Sequence, residues 1–501
     1  MFDKELWSTF TYKERYPGWQ EIRRYFQHVE KVWDLNKDIF FHKHVDTATY
    51  DEDRHQWLVE CSDGSLTYCR WFIPALGFAS RRYTPPVRGL SEFRSDVYHT
   101  GSWPQHGANL RNKRVSQIGT GASGIQVIQA IGAQTKQMTI YQRTPNQCLP
   151  MNQKMLDERE EEKKKAAGEY EKAFANTWKT FSGFTYDFED KNTFDDTLEE
   201  REKFYHQLLN VKGGFNFWLG NYKDSLYSQE ANEEAYKFWR KNVLKRIPDP
   251  KKAALLAPEY PVHPWGTRRS SLEQNFYEVI SMPHIDITDI NENPIEEVTA
   301  TGIRTKLGHV EADVLILATG FDAVTGSLAQ LDIRGTDGQT IAQHWKNGVK
   351  TSMGIAIPGF PNMFIMYGPQ APTGFANGPS CAQQQAAWID STIETFNKEG
   401  ITRVEAKEEP ALAWGKRCQT EWGKSLFPLA KSWWQGSNIP GKKVEALNWA
   451  GGLVPYRETL AKSLENGFQD WIVSQRKVNG TAHNEPSQER QETVQSVAVE
   501  A

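Results

Sequence analysis

The twelve residues VSQIGTGASGIQ at 115–126 constrain the fold most, because they combine a strand, a glycine turn and the start of a helix. Gly119 permits the tight turn, Gly121 lets backbone approach a pyrophosphate, and Gly124 lets the helix pack closely on the strand. A return strand, QMTIYQR, follows at 137–143. This order predicts a dinucleotide-binding unit whose helix N-terminus faces phosphate. The alternative is a glycine turn that binds no ligand.

The end of the return strand indicates which dinucleotide is bound. An acidic side chain there would bond a ribose 2′-hydroxyl, whereas an arginine accepts a 2′-phosphate. The sequence TIYQRTP places Arg143 at this point with no Asp or Glu beside it. The sequence therefore predicts NADP(H) rather than NAD(H), the alternative being a solvated arginine.

Two consecutive arginines, Arg268 and Arg269, stand in HPWGTRRSSLEQNFYE. On an extended segment, neighbouring side chains point to opposite sides. One arginine could then reach a phosphate while the other faces a reaction centre, where a permanent charge and forked donors suit an oxygen-centred anion. The alternative is a pair of surface arginines.

Strand and helix patterns alternate along the chain and predict an α/β fold. HQWLVECSDGSLTYCRWFIPAL predicts a hairpin that turns at Asp63 and Gly64. Further strands are predicted in HIDITDI and GIRTKLG, and buried strands in ADVLILATGFD and PNMFIMYGPQ. The stretch 151–260 lacks this alternation of strands and helices. It predicts a helical insertion, which covers a site or packs on a neighbouring domain.

Two helices are predicted from side-chain spacing. In QEIRRYFQHVEKVWDL the apolar residues recur every three or four positions, which predicts a helix with Ile22, Phe26, Val29 and Val32 on one face. In LDEREEEKKKAAGEYEKAF, Glu160 faces Lys164 and Glu161 faces Lys165, which predicts a solvated helix face.

The 501 residues carry a net charge of −4, which argues against a nucleic-acid partner bound through bulk charge. The five cysteines are widely spaced and form no C-x-x-C, so neither a disulfide framework nor a zinc site is expected, and no metal site is predicted. A reducing, cytoplasmic compartment fits this pattern. The start, MFDKELWSTF, does not resemble a signal peptide, and no apolar run reaches the length of a membrane span.

Several colinear segments resemble one enzyme family. FRSDVYHTGSWP resembles its fingerprint, with Phe93, His99 and Trp103 in register. IGTGASGIQV, YQRTPN, GTRRSSLEQNFYE, LATGFDAVTG, FPNMFIMYGPQAPTG and SWWQGSNIPGK resemble further family segments in family order. The chain is thereby similar to the Baeyer–Villiger monooxygenases, class B flavoproteins, from its start to about residue 475.

The resemblance implies an FAD-type and an NADP-type Rossmann domain, and insertion of one oxygen atom of O2 next to a ketone to give an ester or lactone. Arg269 would stabilise the oxygenated flavin and the attacked intermediate, and His99 and Trp103 would lie in the linker between domains. The remaining residues implied in cofactor binding are Thr120, Gly121, Ala122, Ser123, Gly124, Ile125 and Gln126 at the pyrophosphate, Arg143, Thr144 and Arg268 towards the 2′-phosphate, Trp433 near the nicotinamide and Val45 at the FAD adenine.

The domain prediction follows from these matches. We expect a first part of the FAD-type domain at 1–105, the NADP-binding domain at 106–320 and a second part of the FAD-type domain at 321–475. The Gln/Glu/Ser-rich residues 476–501 are expected to form a disordered tail.

The FAD side departs from the family pattern. The family's first G-x-G-x-x-G lies upstream of the segment that FDKELW resembles, and no second G-x-G-x-x-G occurs in the sequence. Leu76 precedes Gly77 where the family has Ala-Thr-Gly, and Ser95 replaces the glycine of the fingerprint. One account is an incomplete sequence of a flavoprotein. The other is a flavin-free NADP-binding or small-molecule-binding protein with isomerase- or cyclase-like chemistry, and a third possibility is an inactive partner of a complete homologue.

Overall fold

The computed structural model describes residues 3–476. The predicted tail therefore lies, apart from its first residue, outside the described residues. The strands of the described part are β1 Val45–Asp51, β2 Gln56–Cys61, β3 Leu66–Cys69, β4 Asp96–His99, β5 Arg114–Ile118, β6 Gln137–Gln142, β7 Leu149–Pro150, β8 Leu272–Glu273, β9 Ile285–Asp289, β10 Ile295–Thr299, β11 Gly302–Thr305, β12 Gly308–Glu311, β13 Val314–Leu317, β14 Asp332–Arg334, β15 Arg403–Ala406 and β16 Trp471–Ser474.

Helices surround these strands and fill the predicted insertion. They are α1 Lys4–Ser8, α2 Trp19–Trp33, α3 Ala122–Ile131, α4 Glu158–Ala166, α5 Glu169–Thr177, α6 Leu198–His206, α7 Asn216–Leu219, α8 Gln229–Leu244, α9 Pro250–Leu256, α10 Phe276–Ile280, α11 Gly326–Ala329, α12 Ile341–His344, α13 Gly378–Lys398, α14 Glu408–Gly423 and α15 Leu453–Glu465.

A five-stranded parallel sheet forms the centre of the nucleotide-binding region, in the order β4-β13-β5-β6-β9. All four residues of β13 are buried, as expected for a parallel strand covered on both faces. β4, which precedes the predicted domain boundary at 105 and 106, pairs residue by residue with β13, which follows it. The boundary itself stays a prediction.

A second sheet, in the order β14-β1-β2-β3, joins distant parts of the chain. The predicted hairpin is confirmed as β2 and β3, and Gly64 in its turn has a φ of +82°. Parallel pairing of β1 with β14 brings residues 47–49 against 332–334. The core beneath this sheet combines side chains from both regions, including Trp57 and Ile333.

The segment PNMFIMYGPQ is buried as predicted, but it is not a strand of the described structure. It makes a short parallel ladder with the segment after β3: Phe364 N–H donates to the Phe72 carbonyl at 3.0 Å, and Met366 N–H to that of Pro74 at 3.3 Å. Pro74 has no N–H to donate, so the ladder cannot continue as regular pairing.

The stretch 151–260 is helical, as predicted, and contains α4 to α9. Its aromatic side chains, among them Tyr205, Phe217 and Trp239, share one core with Ile125 of α3 and Ile140 of β6. This part of the chain therefore packs directly on the five-stranded sheet.

The charge pairs predicted on α4 are wrong. Glu160 pairs with Lys163 and Glu161 pairs with Lys164, each at 2.7 Å and i,i+3 spacing. Lys165 instead donates to the carbonyl oxygen of Phe10 at 2.8 Å. Glu161 is buried and accepts a hydrogen bond from the Tyr170 hydroxyl, so this side of the helix is not solvated.

The prediction of a helix in QEIRRYFQHVEKVWDL is confirmed by α2. Ile22 and Phe26 have exposed fractions of 41% and 63%. Tyr25 is the buried residue of this helix and packs edge-on against Phe10 at 5.1 Å. The described chain contacts α2 along the side that carries Tyr25, which periodicity alone could not identify.

Within residues 3–476 no helix has both the length and the apolar character needed to cross a membrane. The same residues contain no cluster of three His, Cys, Asp or Glu side chains that could hold a metal ion.

Candidate nucleotide-binding and active site

The glycine loop between β5 and α3 has the geometry of a phosphate cradle. Gly119 has a φ of +103°, and a Cβ there would overlap the Ala318 carbonyl oxygen. A Cβ on Gly124 would lie 2.5 Å from the Gly119 carbonyl oxygen, which explains the third glycine by close packing of helix and loop. At Gly121 a Cβ would meet no atom within 4 Å, so the loop is open at the helix N-terminus. Backbone N–H groups there can bind a pyrophosphate.

The remaining loop residues lie in the first turns of α3 and in the neighbouring strand end. Thr120 is buried, and its hydroxyl donates to the Thr144 carbonyl at 2.9 Å. Ala122 and Ser123 are the first residues of α3, and Ile125 and Gln126 follow Gly124 in the same helix. Thr144 follows β6, so this hydrogen bond ties the end of β6 to the glycine loop.

Arg143 and Arg268 form a pair of like charges beside this loop. Arg143 is exposed, and Arg268 is half-buried. Burial and the charge of Arg143 lower the pKa of Arg268 to about 10. Within residues 3–476 no ion pair involves either guanidinium, so the repulsion between them favours an anionic ligand at this place.

The bonds of Arg268 leave part of its guanidinium free. One terminal nitrogen donates to the Lys431 carbonyl oxygen. The buried Nε has no hydrogen-bond partner within residues 3–476. A buried unpaired donor costs about 1–3 kcal/mol, so an acceptor at this place would stabilise the site.

Arg269 has a different hydrogen-bond partner from Arg268. Its NH1 donates to the Gly374 carbonyl at 3.3 Å, and its guanidinium carbon lies 5.3 Å from the centre of the Phe215 ring. Burial lowers the pKa of Arg269, while the nearby Tyr367 hydroxyl acts in the opposite direction. No ion pair within residues 3–476 involves Arg269, so its charge is available to a bound group.

Trp433 lies on the segment that Arg268 contacts. Its ring stacks on Phe78 at 5.4 Å, and the adjacent Trp434 is fully buried against the core of the helical stretch. The Lys431 carbonyl links this segment to Arg268. The structure therefore brings Trp433 towards the arginine segment.

His99 ends β4 and connects two segments by hydrogen bonds. Its Nε2 lies 3.3 Å from the Tyr83 carbonyl oxygen and 3.4 Å from the Thr319 hydroxyl, and its Nδ1 accepts from the Gly101 N–H. Burial lowers the pKa of His99, so the neutral ring is favoured. Trp103 packs on Tyr98 near the same strand end.

Val45 is the first residue of β1 and lies in the antiparallel sheet. It pairs with Cys61, not with any residue of the five-stranded sheet. Val45 therefore belongs to a different sheet from the strands that carry the glycine loop.

Three residues that contact Arg269 or act on its charge were assigned no role from the sequence. Gly374 and Tyr367 come from the segment before α13, and Phe215 follows the helical turn that ends at residue 212. The signal for Phe215 was the pair Gly213-Gly214 before it, both with positive φ. Gly374 and Tyr367 lie in FPNMFIMYGPQAPTG, a segment that resembles the family, but nothing in that segment indicates that they approach Arg269.

No family model matches the chain. Among curated proteins, the chain is 43% identical over 470 residues to cyclopentanone 1,2-monooxygenase from Comamonas sp. (strain NCIMB 9872), covering 94% of this chain and 85% of that protein.

Solved structures are similar over nearly the whole chain. The structure of cyclohexanone monooxygenase from Rhodococcus sp. Phi1 bound to NADP+ aligns with a TM-score of 0.90 at 32% identity, covering 95% of this chain and 88% of that one. OTEMO in complex with FAD and NADP aligns with a TM-score of 0.89 at 29% identity, covering 94% of this chain and 88% of that one.

Proposed function

This chain belongs to the Baeyer–Villiger monooxygenases, and we propose that it uses NADPH, FAD and O2 to convert a ketone into an ester or lactone. One oxygen atom of O2 enters between the carbonyl carbon and its neighbour. The other oxygen leaves as water, with the two electrons supplied by NADPH. The observation that carries the proposal is Arg269, a half-buried cation in an aromatic setting beside a nucleotide site.

The described residues fit NADP(H). The pyrophosphate would lie at the open glycine loop, held by Thr120, Gly121, Ala122, Ser123, Gly124, Ile125 and Gln126. The 2′-phosphate would lie between Arg143 and Arg268, where it would accept from the unpaired Nε and offset the repulsion of two cations. Thr144 would border the phosphates through its bond with Thr120.

The described residues fit FAD at its reacting end only. Arg269 and the Phe215 ring beside it would face the flavin, and Trp433 would lie towards the nicotinamide. Val45 is the residue proposed at the adenine. Within residues 3–476 the one glycine loop of the strand–turn–helix kind is that of Gly119–Gly124, which is assigned to NADP(H).

When bound, the flavin would take a hydride from NADPH and activate O2. The chain's own contribution is derived from Arg269. Its guanidinium keeps its proton at neutral pH and presents forked donors to a negatively charged oxygen. The Gly374 carbonyl and the Phe215 ring fix its orientation, so little reorganisation is needed when charge develops.

The cofactor assignment is tested by what the native protein carries. The full chain is purified and denatured, and released FAD is quantified by absorbance and chromatography. One FAD per chain supports the monooxygenase assignment. A cooperatively folded protein that binds NADPH but neither carries nor takes up FAD contradicts it and favours the flavin-free alternative.

We also propose a cytoplasmic location, on chemical grounds. All five cysteines are unpaired, and Cys148, Cys381 and Cys418 are buried. Free thiols persist in reducing compartments. Cell fractionation with an antibody against the chain tests this, and recovery in an oxidising compartment would contradict it.

A further inference from the structure

Asn146 joins two parts of the nucleotide site through one side chain. Its Nδ2 donates to the Thr120 carbonyl at 3.3 Å and to the Ser271 hydroxyl at 2.9 Å. Its Oδ1 accepts from the Ser271 backbone N–H at 3.2 Å and from the Cys148 thiol at 3.5 Å. Both amide hydrogens and the amide oxygen are therefore engaged.

The two segments that Asn146 joins carry different halves of the proposed ligand site. Thr120 belongs to the glycine loop, where a pyrophosphate fits. Ser271 belongs to the arginine segment, directly after Arg269 and Ser270. The Ser271 carbonyl in turn accepts from the Leu149 N–H at 2.8 Å, which ties the segment to β7.

A ligand that uses both halves benefits if their spacing is set in advance. Arg268 and the glycine loop would grip the same NADPH molecule at its 2′-phosphate and its pyrophosphate. If the two segments moved independently, ordering them on binding would reduce the affinity for the ligand. A single amide bonded to both removes that cost.

We propose that Asn146 is a positioning residue that sets the distance between the glycine loop and the arginine segment, and thereby the preference for NADPH over NADH. This inference rests on the proposed function, because it assumes that NADPH is the ligand. Asn146 acts through Thr120 and Ser271 and is not itself assigned a contact with the cofactor.

Comparing NADPH with NADH distinguishes a positioning role of Asn146 from a general contribution to folding. NADH has the pyrophosphate but lacks the 2′-phosphate. If Asn146 only supported the glycine loop, its loss would weaken both ligands by the same factor. If it holds the arginine segment in register with the loop, its loss weakens NADPH more than NADH.

The test measures dissociation constants for the full chain, loaded with FAD, by calorimetry. The oxidised forms NADP+ and NAD+ replace NADPH and NADH in the titration, because they carry the same phosphates but transfer no hydride to the flavin. We expect Asn146→Ala to raise the Kd of NADP+ about tenfold, the equivalent of about one net hydrogen bond. The Kd of NAD+ should rise less than threefold. Ser271→Ala, which removes one acceptor of Asn146 but keeps the backbone N–H, should shift the ratio in the same direction by a smaller factor.

Asn293→Ala is the matched control. Asn293 is a buried asparagine that bonds the Thr305 hydroxyl at 3.0 Å and the Leu307 N–H at 3.2 Å, in the hairpin region outside the nucleotide site. Its loss removes bonds of the same kind. We expect a lower midpoint of unfolding with an unchanged ratio of the NADP+ and NAD+ constants.

The outcomes of these measurements distinguish failure of the inference from failure of the proposed function. Equal factors for NADP+ and NAD+ in Asn146→Ala, or no change in either, overturn the positioning role. A wild-type chain that binds no NADPH overturns both this inference and the proposed function. A wild-type chain that binds NADPH with the expected preference but does not oxygenate ketones overturns the proposed function alone.

Discussion

The surroundings of Arg268 both destabilise the nucleotide-free protein and favour the binding of a phosphate. Its buried Nε has no partner within residues 3–476, and the charge of Arg143 adds repulsion. In the absence of a nucleotide both effects oppose folding. A bound 2′-phosphate would relieve both, so the instability of the free site is linked to its affinity.

This linkage gives a prediction for Arg268→Met. We expect the cofactor-free variant to be about 1 kcal/mol more stable than the wild type, because an unpaired buried donor and a like-charge contact are removed. The Kd of NADPH should rise at least tenfold. Urea unfolding without nucleotide and calorimetric titration measure the two effects, and a less stable cofactor-free variant would contradict the account.

The same residue predicts a pH dependence. The pKa of Arg268 is lowered by burial and by Arg143 to about 10, below its ordinary value. The folded protein therefore binds this proton less tightly than the unfolded chain. The free-energy cost that the charged Arg268 adds to folding is fully present below pH 10. It is relieved as the pH rises above 10.

We accordingly expect the loss of NADPH affinity above pH 10 to be steeper in the wild type than in Arg268→Met. The Kd of NADPH measured from pH 8 to 10.5 checks this. Parallel pH profiles for the two proteins would contradict a charged Arg268 at the phosphate.

Arg269 predicts a different outcome from Arg268. Arg269→Ala should lower the rate of ester formation at least 10²-fold, the usual effect of losing a donor to a developing oxyanion. The Kd of NADPH should change less than threefold, because Arg269 points to Gly374 and not to Arg143. Steady-state kinetics with product analysis measures both, and ester formation at the wild-type rate would remove Arg269 from the chemistry.

At the scale of elements, the glycine loop offers a matched pair of substitutions. A Cβ at Gly124 would press on the Gly119 carbonyl, whereas a Cβ at Gly121 would meet open space. We expect Gly124→Ala to destabilise folding by about 1–3 kcal/mol. Gly121→Ala should leave stability nearly unchanged but weaken NADPH at least tenfold, because its methyl group occupies the phosphate cradle.

Thermal or urea unfolding together with NADPH titration separates these two variants. Wild-type affinity in Gly121→Ala would show that the phosphate does not lie at this loop. Unchanged stability in Gly124→Ala would contradict the close packing of helix and loop.

Sequence patterns predicted elements well where local chemistry decides. The glycine loop, the hairpin at Asp63-Gly64 and the buried strand β13 have signals within a few neighbouring residues. PNMFIMYGPQ failed as a strand because regular pairing also needs a partner, and its partner segment contains Pro74. Periodicity predicted the helix α2 but not which side of it is buried, because the burial of Tyr25 depends on its contact with Phe10.

In the candidate site, too, the residues with a local sequence signal were predicted and those that depend on distant segments were not. Arg143, Arg268 and Arg269 were predicted because charge and spacing carry information in the sequence itself. Gly374 and Tyr367 were not, because they approach Arg269 only after distant segments fold together. Asn146 was quoted within a family motif, but its bonds to Thr120 and Ser271 are visible only in three dimensions.

At the scale of the whole molecule, three stretches of sequence converge on one site. The five-stranded sheet supplies the glycine loop, the helical stretch supplies Phe215, and the segment before α13 supplies Gly374. Arg269 contacts the last two while its neighbour Arg268 faces the nucleotide side. The reaction of the family requires the nucleotide and the ketone to come together, and we propose that the two arginines lie where this happens.

The central claim is that this chain oxygenates ketones. The most direct measurement incubates the 501-residue protein with FAD, NADPH and cyclopentanone under ¹⁸O2 and analyses the product by mass spectrometry. The account predicts a lactone that carries one ¹⁸O atom, with about one NADPH consumed per lactone formed. Unchanged cyclopentanone from a folded protein that has bound FAD and NADPH, tested also with larger cyclic and open-chain ketones, would contradict it.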